Sequence, residues 1–102
     1  GNLELIPVGE IRYFQADQKY VTVRTADASV LTEETLKSLE EEFNGQFIRI
    51  HRNALVAVRY LRSLEKATNG HFSVQMQGVE GRLEVSRRHI AGVRQCIKSL
   101  RG

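Results

Sequence analysis

The chain has 102 residues, with 41% hydrophobic and 26% charged residues and one cysteine, the profile of one ordinary soluble domain spanning residues 1–102. No apolar run approaches the ~20 residues that cross a bilayer, and no basic stretch leads into an apolar one as in a secretory leader. Cys96 has no second cysteine with which to form an internal disulfide or start a zinc site, so a reducing, cytoplasmic setting is expected.

Charge is unevenly placed. Residues 1–45 carry four basic and nine acidic side chains, whereas residues 46–102 carry eleven basic and three acidic ones. Of those eleven, only Lys66 and Lys98 are lysines. Arginine presents a planar fork that fits phosphate and the guanine edge, so the excess suits a polyanionic partner, with a plain solvated surface as the alternative.

Along the chain, Ile11 and Tyr13, then Tyr20 or Val21 with Val23, follow the period of two of half-buried strands. Ala16–Lys19 reads as a hairpin loop, Ala26–Ala28 as a second turn, and Val30–Leu31 as the last strand of a meander. Pro7 falls before or at the edge of the first strand. The period then changes. Thr32 is placed to cap a helix beginning Glu33–Glu34, with Leu36, Leu39 and Phe43 as its apolar stripe, Glu40–Glu42 as a solvated face and Asn44–Gly45 as its end.

Phe47–Ile50 reads as a strand with Arg49 opposite Ile48 and Ile50, followed by a loop His51–Arg52–Asn53 and an apolar run Ala54–Val58. Asn69–Gly70 is the strongest hairpin signal, joining a strand that ends near Ala67 to His71–Met76. After a turn at Gly78–Gly81 and a strand Arg82–Val85, Ser86 is expected to cap a second helix bearing Ile90, Val93, Ile97 and Leu100 on one face. Many short strands and two helices, without βαβ alternation, predict a mostly-β fold of small antiparallel sheets.

No carboxylate pair, glycine-rich phosphate loop or metal-ligand spacing is present. Cys96 and His89, seven apart on a helix, lack a third group to organise them, so Cys96 reads as a half-buried structural residue. No enzymatic activity, cofactor or metal is expected. Two basic places stand out. Arg49–Asn53 sets an arginine beside an asparagine, the side chains that read guanine and adenine in the major groove; its alternative is a charged turn with Asn53 as a cap. Ser86–His89 puts Arg87, Arg88 and His89 at a helix start, where positive charge costs about 0.3–1 kcal/mol per residue unless an anion neutralises it; its alternative is pairing with Glu84 or Glu80. The tip Asp17–Tyr20, with Lys19, gains weight only beside these two.

Three stretches resemble the LytTR-type DNA-binding domain. Glu10-Ile11-Arg12-Tyr13-Phe14-Gln15-Ala16 through Tyr20-Val21 is similar to its opening I-x-Y-I-E-A-x-x-x-Y-V. Phe47-Ile48-Arg49-Ile50-His51-Arg52-Asn53-Ala54-Leu55-Val56 is similar to its central F-x-R-I-H-R-S-x-I-V-N, and Leu83-Glu84-Val85-Ser86-Arg87-Arg88 to its terminal I-P-V-S-R-R. Asn53 stands where serine is common and Ala57 where asparagine is usual. The resemblance implies an elongated fold whose loops, in place of a recognition helix, enter successive major grooves of double-stranded DNA. It implies base contacts from Lys19, Arg52, Asn53, Arg87 and Arg88, with Arg49, His51, Arg59, Arg62, Lys66 and His89 expected to position phosphates. It also implies a two-component regulator with a receiver domain preceding this one, self-association on tandem or paired sites, and contact with RNA polymerase through other surfaces, with no membrane partner. The rival expectation is a module that binds a small anion or a protein through the same arginines.

Overall fold

A computed structural model describes residues 6–101. Two antiparallel sheets form its frame. The first holds β1 (Tyr13–Ala16), β2 (Val21–Arg24), β3 (Ser29–Thr32), β4 (Phe47–His51) and β5 (Ala54–Ala57), in the order β3-β2-β1-β5-β4. The second is β6 (Leu61–Lys66), β7 (Phe72–Met76) and β8 (Leu83–Val85), in chain order. Helix α1 (Leu36–Glu42) packs against β1, β4 and β5, and α2 (Ile90–Arg101) packs against β4 and β6. Contact between β4 and β8 joins the sheets into a body of 42 × 31 × 25 Å. The mostly-β, elongated expectation is met.

The core follows from strand pairing. Phe14 stands opposite Val23 on β2 and Leu55 on β5, and its ring lies 5.0 Å from Phe47 and 6.2 Å from Phe43. Every residue of β5 is buried, which accounts for an unbroken apolar run rather than alternation. Val21 and Val23 face inward as their spacing predicts. Tyr13 does not lead β1 into the core, because Phe14 does; Ile11 lies outside the strand, at the exit of a 3-10 turn, Val8–Glu10, so the period counted from it is one residue out. Pro7 precedes that turn and belongs to no strand. At the strand ends, Tyr20 and Leu31 remain exposed.

The helix starts differ from expectation. Thr32 pairs with Val21 as the last residue of β3, and the cap of α1 is Thr35, whose hydroxyl accepts from the Ser38 N–H at 3.1 Å. Thr35→Ala is therefore expected to lower stability by about 1 kcal/mol. The test is thermal denaturation, and an unchanged midpoint would mean that the Thr35 hydroxyl does not cap the helix. Likewise Ser86 makes no side-chain cap to the Arg87–His89 backbone. Those three residues form a 3-10 turn, and α2 begins at Ile90. On α2, Val93 is fully buried, Ile90 and Ile97 are partly buried, and Leu100, one turn further on, is half exposed rather than part of the core. The Asn69–Gly70 hairpin forms as predicted: Gly70 takes φ +88° and its N–H donates to the Ala67 carbonyl at 2.9 Å.

Candidate nucleic-acid interface

The strand order places the first two basic loops side by side. The β1–β2 tip, Asp17–Tyr20, is closed by the Asp17 N–H donating to the Tyr20 carbonyl at 2.9 Å, and by the Gln18 N–H donating to Asp17 Oδ1. The β4–β5 turn consists of Arg52 and Asn53, with His51 still in β4 and paired with Ala54, not in the loop. Because β1 and β5 are neighbours, the Asn53 carbonyl accepts from the Ala16 N–H at 2.8 Å, fixing one turn to the base of the other.

Arg49 braces the second turn. Its Nη1 donates to the Arg52 carbonyl at 2.8 Å, while Nε and Nη2 donate to Glu40 Oε1 at 3.2 and 3.0 Å. It therefore faces α1, not open solvent, and Glu40 is an ion-pair partner rather than one more residue of a solvated face. The Asn53 N–H donates to His51 Nδ1 at 3.4 Å. Arg52 itself is exposed, and its guanidinium has no hydrogen bond or carboxylate partner among the described residues.

A β-bulge attaches the third loop. Arg49 pairs with Leu55 and His51 with Ala54, so Ile50 is the extra residue. Its carbonyl accepts instead from the Ser86 N–H at 2.9 Å. The Ser86 hydroxyl lies 2.6 Å from His89 Nδ1 and 3.5 Å from the same carbonyl. Arg87 and Arg88 pair with neither Glu80 nor Glu84; Glu84 instead lies 3.4 Å from His71.

These attachments leave two adjoining depressions. One, of about 830 Å³, is lined by Glu40, Ile48, Arg49, His51, Arg52, Ser86, Arg88, His89 and Gly92. The other runs from Asp17–Tyr20 across Glu33–Lys37 to the same Arg49 and Arg52. Lys19, Arg52 and Arg88 thus border a continuous concave face, with Asn53 beside Arg52. Arg87 turns away, toward His71 and the Asn69–Gly70 hairpin. Arg59 also stands apart: its guanidinium sits 5.6 Å from the Tyr60 ring, with Nη1 3.4 Å from the Gly9 carbonyl. Arg62 and Lys66 lie on β6 and line neither depression, Lys66 with its Nζ 5.7 Å from the Phe72 ring.

One participant carried no sequence signal, and a second was read as a helix cap. Lys37 lies on an acidic helix yet borders the depression of the first loop. Ser86 has the spacing of a cap, but its hydroxyl is turned to His89. Burial, then the charges of Arg88 and Arg49, hold the His89 pKa below 6.5, with Glu40 pulling the other way and His51 adding a small further depression. Burial raises the Cys96 thiol pKa, away from the thiolate that a nucleophile needs. Among the described residues no helix is long and apolar enough to cross a membrane, and no His, Cys, Asp or Glu cluster could hold a metal.

A mostly-β domain of two small antiparallel sheets, with basic turns brought together by its strand order, defines a class of DNA-binding module. The chain belongs to the LytTR family: the model of the LytTr DNA-binding domain matches residues 1–98. It is 50% identical over 99 residues to the positive alginate biosynthesis regulatory protein of Pseudomonas aeruginosa, covering 96% of this chain and 40% of that protein. A response regulatory protein of Vibrio cholerae is 28% identical, over 91% of this chain and 38% of its own. The CO-responsive transcriptional regulator RcoM of Rhodospirillum rubrum is 27% identical, over 89% and 39%. The chain thus spans about two fifths of the length of these relatives. A solved LytTr DNA-binding domain from Bacillus cereus shares the fold, with a TM-score of 0.78 at 24% identity, over 90% of this chain and 84% of that one.

Proposed function

We propose that this domain binds double-stranded DNA sequence-specifically as the cytoplasmic output domain of a two-component transcription regulator. The observation that carries the reading is the continuity of the concave face, since Arg49 and Arg52 border both depressions and join the Lys19 tip to the Arg88 turn. Two turns held side by side, with a third tied to the bulge, suit loops that enter successive major grooves along one side of a duplex. On this reading Arg52 and Arg88 read guanines, and Lys19 the outer edge of the site. Asn53 reads adenine or shapes the turn. Arg87, directed elsewhere, suits a flanking contact better than a base in the same groove.

Phosphate contact then falls to His51 and His89 in the cleft and to Arg62 and Lys66 beyond it. Arg49 serves as a brace, with three of its five N–H donors engaged by Glu40 and the Arg52 carbonyl, and Arg59 stands too far from the concave face to share a short site. The receiver domain, self-association on tandem or paired sites, and polymerase contact belong to the whole regulator that this reading implies.

Selection of bound duplexes from a random pool, followed by titration at several salt concentrations, tests the proposal. The expected result is an enriched motif and a linear fall of log affinity with log salt, at about 0.9 per phosphate neutralised. Binding of nucleotides as tight as that of duplexes, or enrichment of no motif, overturns it in favour of a small-anion module.

A further inference from the structure

We infer that Ser86 is a positioning residue of this surface: its hydroxyl fixes His89 as the neutral Nε2–H tautomer, so that His89 meets DNA as an uncharged hydrogen-bond donor and not as a cation. The inference deepens the DNA-binding reading and rests on it. Ser86 is itself anchored, because its N–H is bound to the Ile50 carbonyl at 2.9 Å. At 2.6 Å from Oγ, His89 Nδ1 shares one proton with it. If the hydroxyl supplies that proton, Nδ1 is the acceptor and the ring proton sits on Nε2. If the ring supplies it, His89 is an imidazolium, or a neutral ring protonated on Nδ1 that leaves Nε2 an acceptor.

The surroundings decide between these. Arg88 comes from the same turn, and Arg49 and His51 face the ring from β4. Glu40, from α1, is the one acid on that side, and its Oε1 already takes two bonds from Arg49. Helix α2 contributes Gly92 to the cleft, with no ionisable group. A positive charge on the ring is therefore opposed from its own turn and from β4. Between the neutral rings, the hydroxyl's other acceptor, the Ile50 carbonyl, lies 3.5 Å away and already takes the Ser86 N–H at 2.9 Å, so the hydroxyl donates to Nδ1. His89 Nε2 has no hydrogen-bond partner among the described residues, and the ring lines the cleft. The aligned Nε2–H is thus available to a phosphate oxygen or to an acceptor on a base edge.

An uncharged donor has a signature that a cation lacks: it adds affinity without displacing a counterion. Ser86→Ala is expected to weaken binding of the selected duplex about tenfold, the size of one well-placed hydrogen bond, with the salt slope unchanged. Ser86→Thr, which keeps the hydroxyl, should recover most of that loss, and His89→Gln, which keeps a neutral donor, should leave the slope as it is.

Two-bond ¹H–¹⁵N spectra of the free domain at pH 7 are expected to show the proton on Nε2 in the wild type and mixed tautomers in Ser86→Ala, whose amide spectrum also reports whether it is folded. An imidazolium or an Nδ1–H ring in the wild type overturns the inference, as does a salt slope that drops by about 0.9 in His89→Gln. Failure of the wild type to bind any duplex would instead sink the DNA reading. The tautomer spectra need no DNA and judge the Ser86–His89 pairing separately.

Discussion

Phe14→Ala is expected to destabilise the domain by about 3–5 kcal/mol, the range for truncating a buried aromatic. The ring is 2% exposed. It stacks on Phe43 with an interplanar angle of 4° and meets Phe47 at 48°, so one side chain ties β1 to β4 and to the end of α1. These groups cannot collapse into the space easily, because β5 lies buried against them and its residues are small or branched. At roughly 4–8 °C per kcal/mol for a domain of this size, the midpoint should fall by at least about 12 °C. Thermal or urea denaturation checks it, with Tyr20→Ala, at a 43% exposed position, expected within about 0.5 kcal/mol of the wild type. A loss under about 1 kcal/mol from Phe14→Ala would mean that the three phenylalanines are not the keystone of the first sheet. The functional consequence is direct: the Lys19 tip and the Arg52 turn both hang from strands that this cluster holds together.

The parts of this arrangement legible in the sequence are those set by local chemistry. The Asn69–Gly70 turn follows from a residue that accepts positive φ, and Val21 with Val23 from simple alternation. The turn at Arg52–Asn53 follows from two apolar runs with a polar break. What escaped depends on partners distant in the chain. Thr32 looks like the better cap, since two glutamates follow it, but the ladder to Val21 claims its backbone, and Thr35 inherits the task. Ser86 has a cap's spacing, yet its hydroxyl meets His89 at 2.6 Å while its N–H is held by the carbonyl at the bulge. That bulge could not be read from Phe47–His51 alone, because it exists only in register with β5. The convergence of the basic loops was therefore not deducible from their residue types. One lysine-bearing and two arginine-bearing turns could equally have pointed apart, and Arg87, adjacent to Arg88, does point elsewhere. The resemblance to LytTR domains supplied the common surface, because the strand order β1-β5-β4 that creates it is a property of the whole fold.

Arg52→Ala is expected to reduce the ratio of specific to non-specific DNA binding by about 1–3 kcal/mol, or about 5–150-fold. The size rests on the geometry of the turn. The Arg52 carbonyl is held by Arg49, and Asn53 is held to Ala16, so removing the side chain beyond Cβ leaves the backbone in place and the loss is one of contact. Among the described residues the exposed guanidinium has no partner to compensate it, which fits a group whose partner is supplied by the ligand. Arg52→Lys should recover the non-specific part of the affinity but little of the discrimination, because an ammonium cannot make the paired contact to guanine O6 and N7. Arg59→Ala, beside Tyr60 and away from both depressions, is the internal control and should leave the ratio unchanged. Titrations with the selected duplex and a scrambled one, at matched salt, give the ratio for each variant. If Arg52→Ala weakens both duplexes equally and flattens the salt slope by about 0.9, Arg52 is a phosphate contact. Base readout would then pass to Arg88, whose own substitution becomes the deciding measurement.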